Sequence, residues 1–131
     1  ATTLALATAV RAALAGLPER VRAEEGDDPV RRTFQALRME VNDEVGALRA
    51  LLEAVPACLA PGGRAAVLTF HSGEDRLVKK AFQSGARDGL YSDWSREPVR
   101  PGREELRANP RSRPAKLRWA LRARAARPPA V

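Results

Sequence analysis

The stretch that decides the fold reads Leu59-Ala60-Pro61-Gly62-Gly63-Arg64-Ala65-Ala66-Val67-Leu68-Thr69-Phe70-His71-Ser72-Gly73-Glu74-Asp75-Arg76-Leu77-Val78. Pro61-Gly62-Gly63 is a turn signal, because proline presets φ and glycine admits the backbone angles of a tight reversal. Arg64-Ala65-Ala66-Val67-Leu68-Thr69-Phe70 is short and mostly apolar, which predicts a buried strand, most naturally a parallel one after a helix. His71-Ser72-Gly73 leaves the strand. Glu74 and Asp75 then fall where carboxylates meet the positive end of a helix dipole. Leu77, Val78, Ala81 and Phe82 supply that helix with an apolar face.

Upstream, Phe34, Leu37, Val41, Val45, Leu48, Leu51, Leu52 and Val55 recur mostly at steps of three and four, a sustained helical stripe. Asn42-Asp43 is a capping signal inside it, so one long helix and two abutting helices both fit. Further upstream, Leu4, Ala7, Val10, Leu14, Leu17 and Val21 trace one helix face that Pro18 breaks. That Ala-rich, acid-poor opening fits an ordinary amphipathic helix or an organellar transit peptide. Residues 22–30 are charged, with Gly26 and Pro29 as breakers, and predict a loop.

Downstream, residues 84–103 predict mostly loop, with a short strand near Trp94–Val99. Glu104–Ala108 is a helical turn stopped by Asn109-Pro110. Leu117, Trp119 and Leu121 alternate with Lys116, Arg118 and Arg122, the period of a half-exposed strand. Residues 123–131 read as a frayed tail. The order helix, strand, helix, strand pair is α/β, but a lone strand between helices leaves two edges unpaired. The sequence therefore reads as half of an open sheet. It opens Ala1-Thr2-Thr3-Leu4 and its only methionine is Met39, which fits a portion of a longer protein.

Composition narrows the function classes. The 131 residues carry 23 Lys+Arg against 16 Asp+Glu, a formal +7. Residues 96–131 hold ten Arg and one Lys against three Glu, so the whole surplus lies there. An always-charged planar fork binds phosphate bidentately, so an Arg-dominated segment points to nucleic acid or, failing that, to a solvated tail. No apolar run approaches the roughly 20 residues that span a bilayer, which argues against a membrane partner. A single cysteine, Cys58, excludes an internal disulfide framework and fits a reducing compartment. With one His and one Cys, no Cys/His zinc site is possible within the chain, and no metal is expected. Cys58 itself reads as packing near the end of a helix.

Four segments carry a family resemblance. Arg32-Thr33-Phe34-Gln35-Ala36-Leu37-Arg38-Met39-Glu40-Val41-Asn42 resembles the RTFQALRI-x-VN segment of the MraW/RsmH family. Leu59-Ala60-Pro61-Gly62-Gly63-Arg64 is similar to the LxPGGR turn before a late strand of class I methyltransferases. Thr69–Lys79 resembles the family's SFHSLEDRIVK, and Asn109–Arg118 its NPRARSAKLR. Gly73 stands where the family usually has Leu, and Pro114 where it has Ser.

The resemblance runs from about residue 2 to residue 122, and covers only the family's second half. It implies an α/β fold: the second half of a class I, Rossmann-like methyltransferase sheet with part of a helical insertion. Residues 1–42 would be the C-terminal part of that RNA-cleft insertion and 43–122 the C-terminal half of the methyltransferase domain. It further implies an S-adenosylmethionine-dependent enzyme that methylates the N4 of a cytidine in small-subunit ribosomal RNA. The cofactor pocket is expected N-terminal to anything present, since no GxGxxG-like loop occurs here. Partners implied are ribosomal RNA and the small ribosomal subunit. The implied location is bacterial cytoplasm, with the chloroplast stroma as alternative. A non-catalytic RNA- or ribosome-binding remnant is the rival reading.

Methylating an exocyclic amine whose lone pair is delocalised into the ring requires that the site orient it and accept its proton. The base must also leave its stack. Ligands of open α/β sheets bind outside the C-terminal strand ends, where Phe70, His71 and Ser72 lie. His71 either accepts a hydrogen bond from the amine or fixes the loop; Ser72 is a ligand or a helix cap. Glu74 and Asp75 are dipole partners, or less simply a general base. Arg32, Gln35, Arg38 and Asn42 form a polar helix face for RNA or for solvent. Arg111, Arg113, Lys116 and Arg118 are expected to hold phosphate, which positions RNA without reading its sequence. Trp94 and Trp119 fill the core or stack on bases.

Overall fold

A computed structural model describes residues 2–24 and 29–124. The chain divides into two compact units, Ala1–Val45 and Gly46–Val131.

The first unit is helical. α1 (Thr3–Ala15) starts because the Thr2 hydroxyl accepts a hydrogen bond from the Ala5 amide at 3.1 Å, and it buries Ala7. α2 (Glu19–Glu24) begins directly after Pro18. The loop expected over 22–30 is narrower than its composition suggested: α2 runs to Glu24, residues 25–28 lie outside the described residues, and α3 (Pro29–Asn42) starts on Pro29. Proline is tolerated there because the first helical N–H has no intrahelical acceptor to lose. Asp43 then adopts φ 49°, a left-handed conformation that no α-helix passes through. The long apolar stripe is therefore two helices, α3 and α4 (Glu44–Cys58), and the unit boundary falls just inside α4.

The second unit follows α4 with β1 (Arg64–Thr69), α5 (Ser72–Arg87), β2 (Tyr91–Trp94), α6 (Arg103–Ala108), a 3-10 turn (Pro110–Ser112) and β3 (Lys116–Arg122). The mixed α/β class stands. The expected parallel, buried strand does not: β1 pairs antiparallel with β3 from Arg64↔Leu121 to Thr69↔Lys116, in a three-stranded sheet ordered β1-β3-β2. Among the described residues β1 has no strand on its other edge, and because helices cover only one face of the sheet its side chains are covered alternately. Val67 and Thr69 face inward, whereas Leu68 and Phe70 are 54% and 49% exposed. β2 also pairs antiparallel with β3, with a register irregularity between Tyr91 and Asp93.

One face of the sheet meets the helices. Leu52 of α4, Val78 and Phe82 of α5, and Tyr91, Trp94 and Ala120 of the sheet form the buried core. Phe82 packs edge-on against Tyr91 with ring centroids 5.5 Å apart. Trp94 thus takes the core role rather than a stacking one, and Arg96 lies over its ring at 5.5 Å. Gly85 of α5 is forced by close approach, since a Cβ there would stand 2.5 Å from the Tyr91 ring. At the Pro61-Gly62-Gly63 turn, Gly62 has φ 81°, donates its N–H to the Arg122 carbonyl at 3.0 Å, and Gly63 accepts from Arg122 at 2.7 Å. The turn is therefore tied to the end of β3. Cys58, expected to pack, is exposed. Of the expected tail, Ala123 donates to the Leu90 carbonyl at 2.9 Å, and residues 125–131 lie outside the described residues. Among the described residues no helix is long and apolar enough to cross a membrane.

Candidate functional site at the end of the first strand

β1 ends at Thr69, and Phe70 and His71 carry the chain into α5. His71 is the N-cap, in extended conformation, and does not cap through its side chain; Ser72 is the first helical residue. The Asp75 amide donates to the His71 carbonyl at 3.0 Å, closing the first turn. The N–H groups of Ser72, Gly73 and Glu74 precede any intrahelical acceptor and are left at the strand end. A Cβ at Gly73 would meet nothing within 4 Å, so there is open space beside this turn.

Beneath the turn lies a buried ion pair that sequence reasoning did not foresee. Arg118 and Asp75 are 4% and 8% exposed. Arg118 Nε donates to Asp75 Oδ1 at 2.6 Å and Nη2 to Oδ2 at 3.1 Å, while Nη1 donates to the carbonyls of Ser95 and Arg96 at 3.2 and 3.0 Å. One guanidinium thereby ties β3 to the first turn of α5 and to the segment after β2. The hydrogen bond from Arg118 holds the Asp75 carboxyl below its ordinary value, against the opposing effect of burial, with the charges of Arg118, Lys116 and Arg100 adding to the lowering. Arg118 was expected at the surface as a phosphate ligand. The pleat explains the difference: Arg118 and Ala120 share the face that meets α5, and Leu117, Trp119 and Leu121 occupy the other, half-exposed one. Asp75 accordingly serves Arg118 rather than the helix dipole alone.

The remaining basic residues divide by position. Lys116 is the cross-strand partner of Thr69, so it flanks the His71 turn directly. Arg111 and Arg113 are exposed on the 3-10 turn and the bend after it. That turn is fixed by the Ser112 hydroxyl, which donates to the Asn109 carbonyl at 2.7 Å, and by the Ala115 amide, which donates to Ser112 at 2.9 Å. Pro114 falls between these bonds and interrupts neither. The polar face of α3 belongs to the first unit. There Arg38 Nε and Asn42 Nδ2 converge on one oxygen of Glu44, at 3.2 and 3.4 Å. Arg32 and Gln35 lie on the same helix, Arg32 exposed and Gln35 half-buried. Among the described residues, no group of three or more His, Cys, Asp or Glu side chains is disposed to hold a metal.

The profile of the MraW methylase family matches residues 1–123. The chain belongs to the MraW methylase family. It is 48% identical over 122 residues to ribosomal RNA small subunit methyltransferase H 1 of Agathobacter rectalis, an alignment covering 93% of this chain and 35% of that protein. It is 49% identical over 122 residues to ribosomal RNA small subunit methyltransferase H 2 of Alkaliphilus metalliredigens, with the same 93% and 35% coverage. A third relative, ribosomal RNA small subunit methyltransferase H of Rhodopirellula baltica, is 54% identical over 94 residues, 72% of this chain and 28% of that protein. The chain spans about a third of the length of these curated relatives.

A methylase family implies S-adenosylmethionine, and the described residues do not fit it. β1 passes to α5 through Phe70 and His71 with no glycine-rich loop, and the Gly62-Gly63 pair precedes β1, at the opposite end of the strand from any ligand crevice.

Proposed function

We propose that this chain is the C-terminal part of an S-adenosylmethionine-dependent ribosomal RNA methyltransferase that acts on the N4 of a cytidine in the small subunit. One observation carries the reading. The segment that the family profile matches places His71 and Ser72 at the C-terminal end of β1, beside Lys116 and above a buried Asp75–Arg118 pair. In this role Ser72 and His71 orient the target amine through hydrogen bonds, and the His71 imidazole accepts the proton that the amine gives up. In the second unit Arg111, Arg113 and Lys116 hold backbone phosphate; in the helical unit Arg32, Gln35, Arg38 and Asn42 are the RNA-facing side chains.

The same reading assigns the sheet to a larger, open, Rossmann-like one. The free edge of β1 and the half-exposed apolar face of Ala66, Leu68, Leu117, Trp119 and Leu121 are then joined by strands and helices from outside this chain. It places the work in a bacterial cytoplasm.

Two measurements test it. Calorimetric titration of the 131-residue chain with S-adenosylmethionine is expected to give no binding; micromolar affinity would show that the cofactor site is misplaced. Joining the chain to the N-terminal two-thirds of a curated relative is expected to restore methyl transfer to small-subunit RNA, lost again in His71→Ala. A soluble chimaera that binds cofactor and RNA without transferring methyl would favour the non-catalytic RNA-binding remnant.

A further inference from the structure

We propose that Arg100 and Lys116, together with the open first turn of α5 at Ser72 and Gly73 and the hydroxyl of Thr69, form a seat for one phosphodiester group of an RNA strand. It rests on the RNA-methyltransferase reading and adds to it a residue, Arg100, that neither composition nor motif singled out.

Register makes the juxtaposition. Val99 and Leu117 exchange both backbone hydrogen bonds, at 2.8 and 2.9 Å, in an isolated antiparallel bridge. Continuing that antiparallel register by one residue sets Arg100 opposite Lys116, and Lys116 is paired with Thr69 on its other side. Directly opposed residues of antiparallel strands project to the same face. Thr69, Lys116 and Arg100 therefore form a row on the face that carries α5, at the end where that helix begins.

Charge at the row is not cancelled. The nearby carboxylate, Asp75, has both oxygens occupied by Arg118. Among the described residues no carboxylate lies within ion-pair distance of Arg100 or Lys116. Both cations add to the lowering of the Asp75 carboxyl, in keeping with a register beside the first turn of α5.

A buried hydroxyl supplies an independent sign of a missing ligand. Thr69 is 4% exposed, and its Oγ1 is the one buried side-chain polar atom among the described residues without a hydrogen-bond partner. Buried polar atoms are normally satisfied, and an orphan marks a place where a bound group or water completes the set. A phosphodiester oxygen accepts from a hydroxyl, from an ammonium, from a guanidinium and from helix N-terminal amides, which are the donors assembled here. The open space at Gly73 leaves room for the strand to pass.

The test uses the intact chain and a short fluorescein-labelled single-stranded RNA, followed by anisotropy over a range of salt. Each phosphate neutralised on a single strand contributes about 0.7 to the slope of log K against log salt, so loss of this one seat in R100Q/K116Q is expected to lower the slope by about 0.7. The charge-keeping pair R100K/K116R restores it. R87Q, at the far end of α5, leaves it unchanged. Thr69→Val is expected to weaken binding about tenfold without loss of folding stability, because it removes a hydroxyl that only the ligand satisfies. A parent chain that binds RNA while R100Q/K116Q keeps its slope, or while R87Q lowers it equally, overturns this site and leaves the RNA reading standing. A parent chain that does not bind RNA overturns both. A Thr69→Val variant with unchanged affinity removes the hydroxyl from the seat.

Discussion

Arg118→Met is the perturbation that most directly tests the packing beneath the site. Methionine keeps most of the aliphatic volume and removes four hydrogen bonds: two to Asp75 and one each to the carbonyls of Ser95 and Arg96. It leaves Asp75, 8% exposed, as an unpaired buried carboxylate. Breaking one side of such a pair costs about 3–5 kcal/mol, a large share of the 5–15 kcal/mol that holds a typical domain. Asp75→Asn retains a neutral acceptor and both carbonyl partners, so its cost is smaller, about 1.5–3 kcal/mol. Asp75→Leu/Arg118→Met removes both charges together and is expected to recover part of the Arg118→Met loss.

The pH response has a definite sign. In the parent chain the folded-state carboxyl of Asp75 lies below its unfolded value of 3.8, so its contribution is present above that value and fades as pH falls through the lower folded one. In Arg118→Met the partner is gone and burial pushes the same carboxyl up. The gap between parent and variant therefore narrows as the pH is lowered from 7 toward 4. Urea unfolding followed by tryptophan fluorescence reads both effects, since Trp94 lies in the same core. A variant within about 1 kcal/mol of the parent at pH 7, or a gap that widens in acid, refutes the reasoning.

Three further substitutions probe the second unit and its neighbour. Gly85→Ala sets a methyl 2.5 Å from the Tyr91 ring and is expected to cost about 1–3 kcal/mol in thermal or urea unfolding. Phe82→Ala empties a fully buried position at the centre of the core and is expected to cost about 3–5 kcal/mol, with loss of near-ultraviolet dichroism from Tyr91. Val41→Ala, although part of the apolar stripe read from the sequence, is expected to change stability by less than about 0.5 kcal/mol, because Val41 is 82% exposed.

The elements themselves were legible because their signals are local. The strand and turn from residue 64, the start of the helix after them, the helical turn near 104–108 and the last strand lie where turn residues and periodicity put them. By contrast, α5 runs on to Arg87 and β2 occupies Tyr91–Trp94, inside and ahead of where loop and a strand near Trp94–Val99 were expected. What escaped was non-local. Asp43 read as a cap, yet it breaks the stripe by its left-handed backbone, which an aspartate tolerates and a sequence pattern does not display. β1 read as parallel because a helix precedes it, but the neighbour it finds in this chain is the last strand, some fifty residues later.

Arg118 illustrates the limit most plainly. Alternation identified the two faces of β3, and hydrophobicity then assigned Leu117, Trp119 and Leu121 to the interior. The helix instead meets the face of Ala120, whose small side chain admits close approach, and the arginine beside it is neutralised by an aspartate that looked like an ordinary first-turn acid. A small residue two positions from a charge was the available signal. Arg100 left no comparable trace, because its place depends on a single bridge at Val99.

The strand order has a temporal consequence. β3 is made last and lies between β1 and β2. Within this chain neither β1 nor β2 can complete its pairing with β3 until Arg122 has been synthesised, 53 residues after Thr69. At the 5–20 residues per second of synthesis, the edge of β1 that β3 takes waits roughly 3–11 s with its backbone groups unpaired. During that interval β1 and β2 each keep an open edge that another strand can capture. The final strand acts as a keystone, and a ribosome that stalls before it leaves a chain suited to chaperones rather than to folding.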